Sequence, residues 1–383
     1  MPKKIVILLD GTSNEISTNR TNILRLYGTL VKSKEQLVYY DPGVGTFGAE
    51  NAWSRSLRKG AEVWGMATGW GLDANVKEAY RFLVENHAVD ANGHGDSIHI
   101  FGFSRGAYTA RVLAGFLHAF GLIEPRNLNL LDYAYRAYKR IGDASGESGF
   151  AELRLHERIL RPHRPAIRFL GLFDTVASVI ESGRFGPRLR SHAFTAGNPS
   201  VRTVRHAVAL DERRSMFRPQ LWPEGGVFRP DRFQEEGVVP QDAREVWFSG
   251  VHGDIGGGYP EREAQLAKIP LRWMIGQSRA AGLSYRTATV EKLVLGASGG
   301  RHVAPDPLGR VHAPMTLGWK LLELLPRRKA SGAGRPGIAG WTLPLGARRT
   351  VPEGARVHRS VLVRAGATGK APRNLPKEMT VEE

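Results

Sequence analysis

A chain of 383 residues has room for one large domain or two ordinary ones, and 42% apolar with 24% charged residues is the balance of a globular protein with a sizeable core. The absence of cysteine excludes disulfides, thiolate metal sites and a cysteine nucleophile. A net charge of +17 suits an anionic partner, but no RNA-binding signature, zinc finger or basic helix accompanies it, and short clusters such as Arg213-Arg214, Arg327-Arg328-Lys329 and Arg348-Arg349 read equally well as a basic, solubilising surface.

In chain order, the first apolar run spans 5–9 and follows Lys3-Lys4. It is too short for a signal peptide, and Asp10-Gly11 ends it without a small-residue cleavage site. No run approaches the roughly 18–20 residues of a bilayer span. The expectation is therefore a protein that is cytoplasmic on synthesis, without a signal peptide or transmembrane helix and compatible with non-classical secretion. The runs at 5–9, 37–40, 98–103, 167–173 and 246–251 read as buried parallel strands, because such strands are continuously apolar rather than alternating. Helices are predicted at 73–84 with Asp73 as N-cap, at 105–119, at 131–141, and at 270–281 with Pro270 in the first turn and Gly282 as the stop. This alternation predicts an α/β fold: an α/β-hydrolase-like, doubly wound, mostly parallel sheet with helices on both faces. Residues 1–285 form the expected catalytic core. Residues 286–383 read as a basic, Gly/Pro-rich extension packed on it and partly flexible, with one amphipathic piece at 317–325 and one strand-like piece at 357–363.

The run at 98–103 carries the most specific motif. It ends in Gly102-Phe103-Ser104-Arg105-Gly106 and continues at once into the predicted helix. Gly-x-Ser-x-Gly between a strand and a helix is a nucleophile elbow, a tight turn that lifts the serine hydroxyl above the sheet edge. Gly102 and Gly106 let backbone approach backbone there. The helix start aims N–H groups and a positive dipole end at any oxyanion formed beside the serine. Gly296-Ala297-Ser298-Gly299-Gly300 fits the same pattern, but Pro305 and Pro307 follow it and forbid a helix, so it reads as a loop. Ser104 is the candidate nucleophile.

A serine hydroxyl needs a histidine to take its proton and a carboxylate to orient that histidine, in the chain order serine, acid, histidine. Asp174 stands at the end of the run at 167–173. His252 stands at the end of the run at 246–251, just before Gly253-Asp254-Ile255-Gly256-Gly257-Gly258-Tyr259. Asp254 is the rival carboxylate, but two residues from His252 it is better placed to order the glycine turn. Oxyanion donors are expected from the backbone of Arg105 and from the loop Asp10-Gly11-Thr12-Ser13-Asn14, at Gly11 and Thr12, with Asp10 bracing that loop. Asp-Gly-Thr after a strand also occurs in haloacid-dehalogenase phosphatases, but their nucleophilic aspartate is replaced here by Leu8, so that reading fails. The chemistry calls for no metal and no cofactor.

With these residues in place, the chain resembles a bacterial and fungal α/β-hydrolase domain family of unknown function that includes the catalytic domains of type VI secretion phospholipase effectors. The resemblance rests on Leu9-Asp10-Gly11-Thr12-Ser13-Asn14, Tyr40-Asp41-Pro42-Gly43-Val44-Gly45-Thr46, Gly69-Trp70-Gly71-Leu72-Asp73-Ala74-Asn75-Val76, Gly102-Phe103-Ser104-Arg105-Gly106-Ala107-Tyr108, Phe173-Asp174-Thr175-Val176, Asp211-Glu212-Arg213-Arg214 and Val251-His252-Gly253-Asp254 with the glycines after it. It implies a triad of Ser104, Asp174 and His252. The family mostly carries an aromatic residue or glycine at Ser13 and a serine at Gly253, departures that leave the triad untouched.

The expectation is a serine esterase or lipase, with phospholipase A activity implied by the resemblance, cleaving carboxylic esters through an acyl-enzyme on Ser104. The basic surface would suit peripheral contact with an anionic membrane. The competing expectation is a non-catalytic module that holds an anionic membrane or polymer on a hydrolase scaffold. An amidase with the same triad is not separable from an esterase at this level.

Overall fold

The computed structural model describes residues 2–11, 19–43, 71–90, 95–142, 146–176, 180–183, 186–189, 192–230, 236–297, 301–328 and 341–383. Among them eight strands form one sheet: β1 (Lys4–Leu9), β2 (Gln36–Asp41), β3 (Ser97–Phe103), β4 (Ile167–Phe173), β5 (Val201–Ala209), β6 (Asp242–Phe248), β7 (Arg356–His358) and β8 (Thr380–Glu382). The order across the sheet is β8-β7-β6-β5-β4-β3-β1-β2, and every neighbouring pair is parallel. This is the expected α/β fold.

Successive residues of a strand point to opposite faces, and in β1 both faces are buried. Ile5, Ile7 and Leu9 enter one core and Val6 and Leu8 the other. Helices α2 (Leu72–Asn86), α3 (Arg105–Ala119) and α4 (Leu131–Ile141) cover the first face. Helices α1 (Asn22–Thr29), α7 (Gln265–Ala280) and α8 (Thr287–Leu293) cover the second. Between them in the chain come α5 (Gly146–Leu160) and the short α6 (His252–Gly256). The chain leaves β1 for β2 on one side and returns to build β3 and β4 on the other. The strand order therefore reverses between β1 and β3, and the carboxyl ends of such strands open onto a crevice where ligands bind in sheets of this kind.

Several boundaries differ from the expected ones, each for a local reason. Gly71, not Asp73, caps α2; the Asp73 carboxylate instead accepts from Tyr135 Oη (3.0 Å) and Lys139 Nζ (2.6 Å). Helix α7 starts five residues before Pro270, which sits inside it and cannot donate to the Leu266 carbonyl. Gly282 does stop α7, with φ +103° and the Leu283 N–H closing on the Ser278 carbonyl at 3.0 Å. The piece at 357–363 is a strand only through His358; α10 (Arg359–Thr368) begins next, with the His358 side chain accepting from the Ser360 N–H. Strand β5 carries Arg202, Thr203, Arg205 and His206 and was not apparent as an apolar run. Residues beyond 285 supply β7 and β8 to the sheet edge, and α9 (Leu317–Leu322) lies between them and the core in the chain.

Candidate active site

Ser104 follows β3 directly and Arg105 opens α3, so the serine occupies the turn itself, at φ 58° and ψ −122°. A non-glycine residue held there stores about 1–3 kcal/mol of strain, which the surrounding packing must sustain. The two glycines make the turn possible. A Cβ at Gly102 would lie 2.4 Å from the Gly106 carbonyl oxygen, and one at Gly106 would lie 2.3 Å from the carbonyl oxygens of both Leu9 and Asp10. The start of α3 is thus packed against the loop that leaves β1. On the other side the Ser104 N–H donates to the Phe173 carbonyl at the end of β4 (3.0 Å).

Asp174 is the next residue after β4. It is fully buried, sits at φ 42°, and its N–H donates to the Ala207 carbonyl (2.7 Å). His252 opens α6 beyond β6, and Gly253 and Gly256 let that short helix fold tightly. A Cβ at Gly256 would fall 1.8 Å from the Phe103 ring, and one at Gly253 2.7 Å from the Tyr259 ring. The imidazole is clasped between Phe103 and Phe217, each with its ring centroid 4.8 Å away. From there Nε2 lies 2.8 Å from Ser104 Oγ and Nδ1 lies 2.6 Å from Asp174 Oδ2. The three candidates meet at the carboxyl ends of β3, β4 and β6 in one unbroken hydrogen-bonded line.

A carboxylate buried as deeply as Asp174 is driven toward its neutral form by burial. The Arg349 guanidinium, and after it His252, outweigh that effect and hold the carboxyl well below the usual range. Arg349 Nη1 lies 2.5 Å from Asp174 Oδ1 and Nη2 lies 3.0 Å from Oδ2; the Ala209 N–H donates to Oδ1 at 2.9 Å. A second carboxylate supports the histidine backbone. Glu212 Oε2 accepts the His252 N–H (3.1 Å), and Arg214 pairs with Glu212, whose carboxyl sits at about 2 because this pairing overcomes burial. Behind Asp174, His206 Nε2 accepts the Thr175 N–H (3.1 Å) while its Nδ1 faces Glu245 (2.8 Å).

Other expected residues fall into different places. Asp254 does not touch the His252 ring: its carboxylate accepts the Val251 N–H (3.0 Å) and pairs with His312 Nδ1 (2.6 Å), so it orders the turn as expected. Asp10 accepts from Thr21 Oγ1 and from Tyr40 Oη (3.0 Å), while most of the loop after it lies outside the described residues. The Gly11 N–H donates to Asp10 Oδ1 at 2.7 Å, which corrects the expectation that it points to the oxyanion; the neighbouring carboxylate simply captures it. Thr12 lies outside the described residues, as does Ser298 of the second Gly-x-Ser-x-Gly. Burial pushes the Arg105 guanidinium beside the serine down to about 10.

Arg349, Glu212 and His206 were not identified as site residues from their own surroundings. Glu212 had a signal in the Asp211-Glu212-Arg213-Arg214 segment of the resemblance. Arg349 had none, because Arg348-Arg349 reads as a basic surface cluster; its Arg348 half is indeed partly exposed, whereas Arg349 is only 8% exposed.

Comparison with known proteins places the chain in a family. Residues 3–277 match the model described as "T6SS, Phospholipase effector Tle1-like, catalytic domain". The chain belongs to that family. The uncharacterized protein YEL023C of Saccharomyces cerevisiae is 33% identical over 233 residues, covering 56% of this chain and 32% of the yeast protein. Among solved structures, an uncharacterized protein from Pseudomonas aeruginosa matches 74% of this chain and 46% of its own at 21% identity, with a TM-score of 0.40. The Tle1 effector bound to the VgrG spike from the type VI secretion system matches 69% of this chain and 52% of its own at 20% identity, with a TM-score of 0.31. The chain therefore spans about a third to a half of the length of these relatives. Among the described residues no helix is long and apolar enough to cross a membrane.

Proposed function

We propose that this member of the Tle1-like family is a serine acylhydrolase that cleaves carboxylic esters, with phospholipid acyl esters as the substrate class. The observation that carries the reading is the Ser104–His252–Asp174 line, with both hydrogen bonds at 2.8 Å or less. In the reaction Ser104 Oγ bonds to the ester carbonyl carbon as its proton passes to His252 Nε2, and Asp174 holds the Nδ1–H of the resulting imidazolium. The oxyanion faces the start of α3, where the Arg105 backbone N–H serves as one donor. The intermediate collapses, the C–O ester bond breaks, and His252 returns its proton to the departing alcohol. Water, deprotonated by the same histidine, then releases the fatty acid and restores the Ser104 hydroxyl.

Two features support a lipid substrate. The family is that of phospholipase effectors. Beside the histidine, Phe217 contacts Trp319 of α9 (5.6 Å between centroids), and Leu317 and Leu321 on that helix are 79% and 65% exposed. Apolar side chains standing in water on the helix that packs Trp319 against Phe217 suit an acyl chain or a bilayer surface, and the +17 net charge suits an anionic one. The test is hydrolysis of short p-nitrophenyl acyl esters and of phosphatidylglycerol and phosphatidylcholine vesicles by wild type and Ser104→Ala. Wild-type turnover that falls by at least about 10⁴-fold in the variant is expected. Unchanged turnover in the variant, or vesicle binding without hydrolysis by wild type, would overturn the proposal, the second in favour of a binding module.

A further inference from the structure

Arg349 lies outside the segment that matches the family, yet it makes both of its terminal nitrogens available to the candidate acid. We propose that Arg349 is a positioning residue for the reaction, keeping Asp174 ionised and aimed at His252. This rests on the acylhydrolase reading above.

The argument starts from burial. Asp174 is completely enclosed, and among the described residues its carboxylate receives, apart from Arg349, one backbone N–H and the imidazole. A buried carboxylate with so few donors tends to take up a proton, and a protonated acid cannot hold the Nδ1–H tautomer that leaves Nε2 free to accept from the serine. Arg349 prevents this with two parallel charged contacts, one on each oxygen, a fork that also fixes the carboxylate plane. The guanidinium is itself held by two carbonyls, and the Arg349 backbone by Asn374. Nη1 donates to the Ala209 carbonyl (2.9 Å), Nη2 donates to the Phe217 carbonyl, and Asn374 Nδ2 donates to both the Arg349 carbonyl (3.1 Å) and the Leu210 carbonyl (3.0 Å). Phe217 is the residue whose ring walls His252, so one arginine ties the acid to the wall of the base. Residues 341–383 thereby complete the site as well as the sheet edge.

The guanidinium has an opposing effect. A fixed positive charge beside Asp174 makes the Asp174–His252 couple less ready to bind a proton, so its removal must move the acid limb of the pH–rate profile upward. The other charged or titratable groups around the couple are His206 on β5 and Glu212 with Arg214 beyond it, and all three stay in the chain when Arg349 is replaced.

The experiment measures kcat, KM and the pH profile of ester hydrolysis for wild type, Arg349→Lys, Arg349→Gln and Arg349→Leu, each normalised to the fraction labelled by a fluorophosphonate, with circular dichroism as the folding control. Arg349→Gln and Arg349→Leu should lose roughly 10- to 100-fold in kcat with little change in KM. Their acid limb should move up by about one to two pH units, whereas Arg349→Lys, which keeps the charge, should keep the wild-type limb. If Arg349→Leu fails to fold, the Gln and Lys pair still decides the matter. Neutral variants with the wild-type limb and kcat within about twofold would overturn the role. Failure of wild type to hydrolyse any ester, or activity retained in Ser104→Ala, would instead overturn the underlying reading.

Discussion

The two ends of the hydrogen-bonded line are built in different ways. At the serine end everything is local: β3, the turn and α3 are continuous, and the two glycines that permit the turn stand two residues either side of Ser104. At the acid end the decisive partner of Asp174 comes from residue 349, through a chain segment that also threads β6 and α7. The contrast teaches that steric demands of a backbone turn are met by neighbours in sequence, while the demands of a buried charge are met by whatever the fold brings near.

If the serine end is governed by backbone fit, the most severe break comes from one methyl group. Gly106→Ala would push a carbon into the carbonyls of Leu9 and Asp10, atoms that cannot swing aside as a side chain can. A loss of about 3 kcal/mol in urea-unfolding stability is expected, together with most of the esterase activity. A stability loss below about 0.5 kcal/mol would show that the elbow is more forgiving than its geometry implies.

If the acid side of the site is governed by charge compensation, its signature is a dependence on pH. Glu212 is held at about 2 against an ordinary 4.5, so the stability it contributes is fully present above pH 4.5 and is lost as pH falls from there toward 2. Glu212→Gln should therefore lower stability at pH 7 by about 2 kcal/mol and flatten the acid dependence between pH 4.5 and 2.5, as read from urea midpoints across that range. An unchanged pH slope would remove Glu212 from the electrostatic support of the His252 loop.

The same contrast explains what the sequence made visible. Strands β1 to β4 and β6 stood out because parallel strands covered on both faces are written as continuous apolar runs, and Ser104, Asp174 and His252 were found because each directly follows such a run. Strand β5 was hidden by Arg202, Arg205 and His206. Arg205 and His206 are buried with Asp242 and Glu245 of β6 as ion-pair partners across the sheet, and with Gln277 and the Thr175 N–H as further partners. Lys268 is buried in α7 by the same device, paired with Glu261. In each case a charged or titratable side chain is buried with a partner that its own local sequence pattern does not announce. Arg349 is the extreme example, one half of an arginine pair whose other half faces solvent. The Gly11 donor failed for the opposite reason, since the carboxylate that captured its N–H was the adjacent residue all along.

The whole account depends on an alcohol made reactive by a distant imidazole. Treating the native protein with a fluorophosphonate and mapping the adduct by peptide mass spectrometry interrogates that directly. A single adduct on Ser104, abolished by denaturation or by His252→Ala, is the result this account requires. No adduct, or one on Ser298 with Ser104 untouched, would contradict it.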